Sequence, residues 1–418
     1  MRERVVTVTD DIQVYTLANG VRVVTEKMPG ARSAALGVWV GTGSRMERPE
    51  EEGITHFIEH LLFKGTSKRS AKEIAESLDS VGGQLNAFTA KEMTCYYARV
   101  MGEHLPLAAE VLTDMLFNSV FAPESIEKER GVVKEEISMY EDTPDELIHD
   151  VFLAAAWPDC PLGKPILGTA ASLDQMDREM ILAYMKRQYV PENIVIACAG
   201  SLEHEAAREL LAPLFAGLAA APRLAPAPAP AELSGRTFHL AKDVGQTQIC
   251  LGTRGIPAAD ERNYPLYVLN NILGGGLSSR LAQSIREERG LAYSTYSFNS
   301  GFSDAGIFTL YAGTAPRTAA TVIELFQQEI ESLRSKGVSP EELARAKAQV
   351  RGSLYMGLES VGNRMNRLGR NLLLLDRVIP PETTVAMVDK VTLEDVPALA
   401  GYLFAGPQVL ATIGPKNE

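Results

Sequence analysis

Two histidines and a glutamate stand close together in the segment GITHFIEHLL: His56, Glu59 and His60. In a helix, residues four apart share a face, so both imidazoles can reach one metal ion. Glu59 then lies about 60° round from His56 and still on the metal side. The order H-x-x-E-H reverses the H-E-x-x-H spacing, and both set a carboxylate beside two imidazoles. A catalytic zinc takes three protein ligands and leaves one position for water. The acidic run after Pro123 offers Glu129, Glu135 and Glu136 as the third. Glu129 and Glu136 share a helix face but lie ~10 Å apart along the axis. Both cannot bind one ion, so one is a ligand and the other orients a histidine; spacing does not choose between them. Glu135 reads as part of a solvated face with Lys128, Arg130 and Lys134.

The elements that must hold these residues follow from pattern. Residues 54–64, 70–81, 105–118 and 124–140 have helical spacing, the last starting on Pro123 and acidic residues as a helix N-terminus should. Runs such as VRVVTE, ALGVWVG, CYYARV and NIVIACAG read as strands. The expected class is α+β, with an antiparallel sheet covered by helices.

The chain has 418 residues, and its size allows two or three domains. A net charge of −12 argues against a nucleic-acid coat and favours neutral or basic partners. Cys95, Cys160, Cys198 and Cys250 are far apart, with no C-x-x-C pair, and fit small core residues in a reducing compartment. The N-terminal MRERVVTVTDDIQ has no apolar run of leader length, and the uncharged stretch 396–415 is broken by Pro397, Gly401, Gly406 and Pro407. The expectation is a cytoplasmic protein with no membrane span. His104, His149, His204 and His239 have no evident partners and are expected to be structural or exposed.

The Ala-Pro alternation over 221–233 reads as an extended linker between two halves: 1–220, a linker at 221–234, and 235–418. The halves resemble each other. Aligning Gly41 with Gly252 sets His56, Glu59 and His60 on Tyr267, Asn270 and Asn271 without a gap. FAPESIEKERGVVKEEISMY faces VSPEELARAKAQVRGSLYMG, with Glu129 on Ala346 and Glu136 on Ser353. Apolar spacing is kept in both, and the chemistry only in the first.

HFIEHLLFKGT, then SVGGQLNAFTAKEMTCYYARV and ERGVVKEEI, resemble the pitrilysin family of inverzincin metallopeptidases. The likeness is to its short-chain branch, which includes processing-type peptidases of mitochondria and bacteria, and it runs from about residue 10 to the C-terminus. The resemblance implies a zinc metalloendopeptidase with one Zn2+ per chain on His56, His60 and Glu136. It assigns Glu59 as general base and Glu129 as helper carboxylate. It matches Gly83 to Thr89, especially Asn86 and Ala87, to an edge strand that pairs with the substrate backbone. From the second repeat, which lacks zinc ligands, it implies Arg286 and Tyr293 facing a zinc site, with Gly274, Gly275 and Gly276 as a glycine-rich loop. Glu146 and Asp150 match an acidic pair that holds a basic substrate residue. Long members carry four such repeats in one polypeptide, so a two-repeat chain is expected to form half of a clamshell and to work as a homodimer on peptide substrates. A non-catalytic scaffold subunit of the same fold and a dedicated precursor-processing enzyme are the alternatives.

Overall fold

A computed structural model describes residues 4–230 and 232–416; the ends of the expected halves at 1–3 and 417–418, and linker residue 231, lie outside the described residues. The fold is a mixed α+β arrangement with two sheets. The chain divides into two compact units. The first takes in the chain up to Ile137, Pro165–Ala227 and Gly357–Pro380; the second takes in Ser138–Lys164, Pro228–Met356 and the chain from Pro381 onward.

The first unit is built on β1 (Arg4–Thr9), β2 (Ile12–Thr16), β3 (Arg22–Lys27), β4 (Ser33–Val40), β5 (Gln84–Thr89), β6 (Thr94–Met101) and β7 (Ile194–Gly200). They run in the order β1-β2-β3-β7-β4-β6-β5, so β5 is an outer strand. The β4 sequence SAALGVWV is buried at every residue but the first, as a central strand covered on both faces requires. On one face Leu36, Val38 and Val40 join the core formed by α1 (Ile54–Leu62), α2 (Ala71–Asp79) and α3 (Leu105–Asn118). α2 opens with Ser70 and Glu73 capping each other's backbone amides. α4 (Pro123–Glu141) and α5 (Pro144–Ala156) follow.

The second unit carries β8 (Thr237–Ala241), β9 (Thr247–Arg254), β10 (Ala292–Gly301), β11 (Gly306–Thr314) and β12 (Val409–Gly414). Read as β8-β12-β9-β11-β10, they repeat the five strands β3-β7-β4-β6-β5 in order and direction. The first pair is parallel in each sheet and the remaining three pairs are antiparallel. The halves are homologous in topology as well as in apolar spacing.

The helices do not respect the halves. α5 comes from the first half yet packs on β9 and β12, while the helix Val361–Leu375 comes from the second half and packs on β4 and β7. The segment 221–230 has no helix or strand, as alternating proline dictates, but the chain crosses between units at other points too.

A central-strand glycine receives each exchanged helix. A β-carbon on Gly37 of β4 would lie 2.4 Å from Met365 Sδ, and one on Gly252 of β9 would lie 2.0 Å from Phe152 Cζ. Trp39 presses back against Gly369, whose β-carbon would fall 2.2 Å from the indole Nε1. Gly369→Leu should therefore cost ~1–3 kcal/mol through overpacking. Gly131→Ala on α4, where nothing lies within 4 Å, should gain up to ~1 kcal/mol from helix propensity. Urea midpoints read both, and similar shifts for the two would refute the close helix-on-sheet contact.

Candidate metal centre

α1 buries Ile54, Phe57, Ile58, Leu61 and Leu62, and the same turns carry His56, Glu59 and His60 toward α4 and the β5 end of the sheet. α4 meets them with one stripe. Ile126, Glu129, Val133 and Glu136 follow at spacings of three, four and three, one side of a helix. Ile126 and Val133 anchor the stripe in the core; Glu129 is only 1% exposed, and Glu136 sits at the open end.

The structure brings His56, His60 and Glu136 together, with one donor atom of each within 4.8 Å of the others. His56 Nε2 is 3.8 Å from Glu136 Oε1, and His60 Nε2 is 3.5 Å from Glu136 Oε2. These are long for hydrogen bonds. They suit donors around a common centre, since ligands ~2.0–2.1 Å from a tetrahedral zinc stand about 3.4 Å apart. His56 Nδ1 is buried and has no hydrogen-bond partner among the described residues. Burial, and then the charge of His60, push the His56 imidazolium pKa down to about 3, so the ring is neutral and its lone pair is free to bind a cation. The donor set fits a zinc ion.

Glu129 lies on the other side of His60. Its Oε2 is 3.4 Å from His60 Nδ1, and its Oε1 is 2.9 Å from Lys64 Nζ. A proton on Nδ1 shared with Glu129 would leave Nε2 unprotonated toward Glu136. Glu135 is exposed, while Arg130 pairs with Glu127 and Lys134 with Asp174, as a solvated face would arrange them.

Glu59 is raised above the ordinary carboxylate range, first by burial and also by the charge of Glu136; the Thr89 hydroxyl and His60 oppose the rise. Thr89 Oγ1 donates to Glu59 Oε2 at 2.5 Å, joining α1 to the end of β5. β5 pairs with β6 on one side, and its other edge is unpaired among the described residues. On it Asn86 is exposed, and its Oδ1 accepts the Ala87 amide hydrogen at 2.8 Å.

Arg286, Tyr293, Glu146 and Asp150 belong to the second unit. The Arg286 guanidinium stacks 5.0 Å from the centre of the Tyr293 ring, and Tyr293 is 82% exposed on β10. Gly274, Gly275 and Gly276 line a cavity of about 310 Å³ with Arg286 and Tyr296. Glu146 and Asp150 lie on α5 beside Tyr140, whose hydroxyl donates to the Glu146 carbonyl and whose pKa rises by burial and by their charges. His204 bonds to Thr25, and His239 to Thr412 and Pro415. His104 stands 3.6 Å from Glu103. His149 lines a second, largely apolar cavity of about 350 Å³ with Phe152, Tyr296 and Phe298, to which no sequence motif points. No motif identifies Lys64 and Thr89 as the partners of Glu129 and Glu59. Only the position of Lys64 four residues after His60 hinted at a shared face.

Comparison with known proteins agrees with this geometry. Residues 22–170 match the family described as Insulinase (Peptidase family M16), and residues 175–350 match the Peptidase M16 inactive domain. The chain is 43% identical to an uncharacterized zinc protease of Bacillus subtilis, YmxG, over 97% of this chain and 99% of that protein. It is 41% identical to an uncharacterized zinc protease of Streptomyces coelicolor, over 96% and 89%. Among solved structures, a peptidase M16 inactive domain from Pseudomonas fluorescens superposes with a TM-score of 0.91 at 22% identity, over 97% of this chain and 99% of that one. A protease from Helicobacter pylori gives 0.88 at 21%, over 99% of each. The chain belongs to peptidase family M16, the insulinase family.

Proposed function

We propose that this protein is a zinc-dependent endopeptidase that cleaves peptides or unfolded segments bound as an added strand on β5. The observation that carries the reading is the grouping of His56, His60 and Glu136, with one donor atom of each within 4.8 Å of the others. A zinc ion held there supplies a polarised scissile carbonyl and a water whose pKa is lowered toward ~7. Glu59 takes the proton of the attacking water on its carboxylate and returns it to the leaving amine nitrogen as the C–N bond breaks. Its raised pKa suits that exchange, and the Thr89 hydroxyl holds one oxygen so that the other is free for the proton. Glu129 keeps His60 in the binding tautomer. The free edge of β5, with Asn86 and Ala87, supports main-chain recognition that depends little on sequence.

Glu146 and Asp150 hold a basic side chain near the cut, by family likeness and their i, i+4 spacing. The same likeness supports a homodimer in which Arg286 and Tyr293 of each chain stabilise the oxyanion at the other chain's zinc. Four buried, unbridged cysteines fit a cytoplasmic setting. A scaffold role is disfavoured because the whole donor set is present.

Glu59→Gln should keep zinc and abolish cleavage of a peptide library; turnover near wild type at full zinc occupancy would show that another group is the base. The wild-type cleavage map, lost on adding chelator, should be enriched in basic residues near the cut, and no enrichment would remove the role given to Glu146 and Asp150. Glu136→Gln should lose zinc outright, whereas Glu129→Gln should weaken it ~10–100-fold. Equal loss in both, read by metal analysis after dialysis, would contradict the ligand assignment. Mixing Glu59→Gln with Tyr293→Phe chains under subunit exchange should restore about a quarter of wild-type activity, since about half the dimers are mixed and each has one complete site of two. Demonstrated exchange without recovery would place Tyr293 at its own chain's zinc.

A further inference from the structure

The two histidines of the centre are held in different ways. His60 is oriented through its own ring, by Glu129 at Nδ1. His56 has no such contact; its Nδ1 is buried without a partner among the described residues. Its aim is therefore set by the backbone that carries it, at the third residue of α1.

That helix start cannot cap itself. The residue before α1 is Gly53, at φ +92°, and a β-carbon there would lie 2.6 Å from the Leu167 carbonyl oxygen and 2.8 Å from Gly168 Cα. A serine, threonine or aspartate, the usual cap, is excluded by both conformation and space. The free amides of the first turn are met instead by a side chain six residues upstream. Glu47 Oε2 accepts the Gly53 N–H at 2.8 Å, and Oε1 accepts the Thr55 N–H at 2.9 Å. The carboxylate also complements the positive end of the helix. Thr55 is held from its side chain as well, with Oγ1 2.7 Å from the Tyr184 hydroxyl, itself 2.7 Å from Thr42 Oγ1. Thr55 is fully buried, and the next residue is His56.

The loop that presents Glu47 is fixed on both sides. Arg45 pairs with Glu92 at 2.6 Å and donates to the Ala227 carbonyl, while Glu51 takes a two-point contact from Arg187. Glu47 thus reaches the helix from a clamped support.

We propose that Glu47 is a positioning residue for the metal centre: by capping α1 from outside, it sets the orientation of His56 toward the cation shared with His60 and Glu136. The inference rests on the zinc reading of the site. Glu47 is not one of the grouped metal donors and acts through Gly53 and Thr55.

The test uses the full-length protein stripped of metal. Zinc affinity is measured by competition with a chromophoric chelator, and Co2+ substitution reports ligand geometry by its visible absorption. In Glu47→Gln one amide N–H meets another donor, so zinc should bind roughly tenfold more weakly, the scale of a lost outer contact. The Co2+ spectrum should shift while far-ultraviolet circular dichroism stays that of the folded protein. Glu51→Gln, which loosens the support of the loop but leaves the Glu47 cap on α1 in place, should weaken zinc binding less than Glu47→Gln does. Wild-type affinity and spectrum in folded Glu47→Gln, or equal changes in Glu51→Gln, would overturn the proposal. If Glu47→Gln does not fold, Glu47→Asp decides: it keeps the charge but is one methylene short, and must bind zinc more weakly than wild type. Failure of the wild-type protein itself to bind Zn2+ or Co2+ would instead refute the metal reading.

Discussion

Everything at the candidate metal centre turns on one carboxylate that water barely reaches. Glu129, inside the α1–α4 contact, must be compensated there, because an unpaired buried charge costs several kcal/mol. Lys64 neutralises it and His60 Nδ1 shares it, both from the C-terminal turns of α1 and the residues just beyond. The pairing ties the end of α1 to α4 and offers the His60 proton an acceptor at Nδ1. With that settled, Glu136 faces the two Nε2 atoms by helix geometry alone, two turns further along the same stripe.

The second repeat shows that the fold does not need this chemistry. It has the same five-strand order and a helix, Asn263–Gly274, that buries Leu266, Leu269, Ile272 and Leu273 as α1 buries its apolar residues. Where His56, Glu59 and His60 align, it has Tyr267, Asn270 and Asn271. The sheet and its covering helices are stabilised by apolar burial in both copies, so the polar face of this helix is free to differ between them.

Local pattern made much of this legible. Apolar spacing places α1 to α4 within a few residues of their observed ends, and the β-branched runs become β3, β4, β6 and β7. The H-x-x-E-H spacing picks out the helix face that holds the site. Spacing alone could not separate Glu129 from Glu136, because both lie on one stripe and only the partner helix distinguishes the buried position from the open one. Lys64, Thr89 and Glu47 escape for a related reason. Each acts through a turn or a neighbouring strand, and their residue types are common on ordinary surfaces. The destinations of α5 and of the helix Val361–Leu375 are not encoded in periodicity at all, since an amphipathic helix does not name the sheet it will cover.

That exchange has a consequence for how the protein is made. A chain leaves the ribosome from its N-terminus at ~5–20 residues per second. All seven strands of the first sheet have emerged by residue 200, but the helix that packs on Trp39, Ala35, Val195 and Ala197 arrives only with residues 361–375. At that pace the face is bare for roughly ten to thirty seconds, an apolar surface in a nascent chain whose later strands are themselves still unpaired. The half that carries the candidate metal site lacks one of its covering helices until residues 361–375 are made. That face of its sheet is covered only after residue 375 is made, and a cell making it would gain from a chaperone that shields apolar sheet faces during that interval.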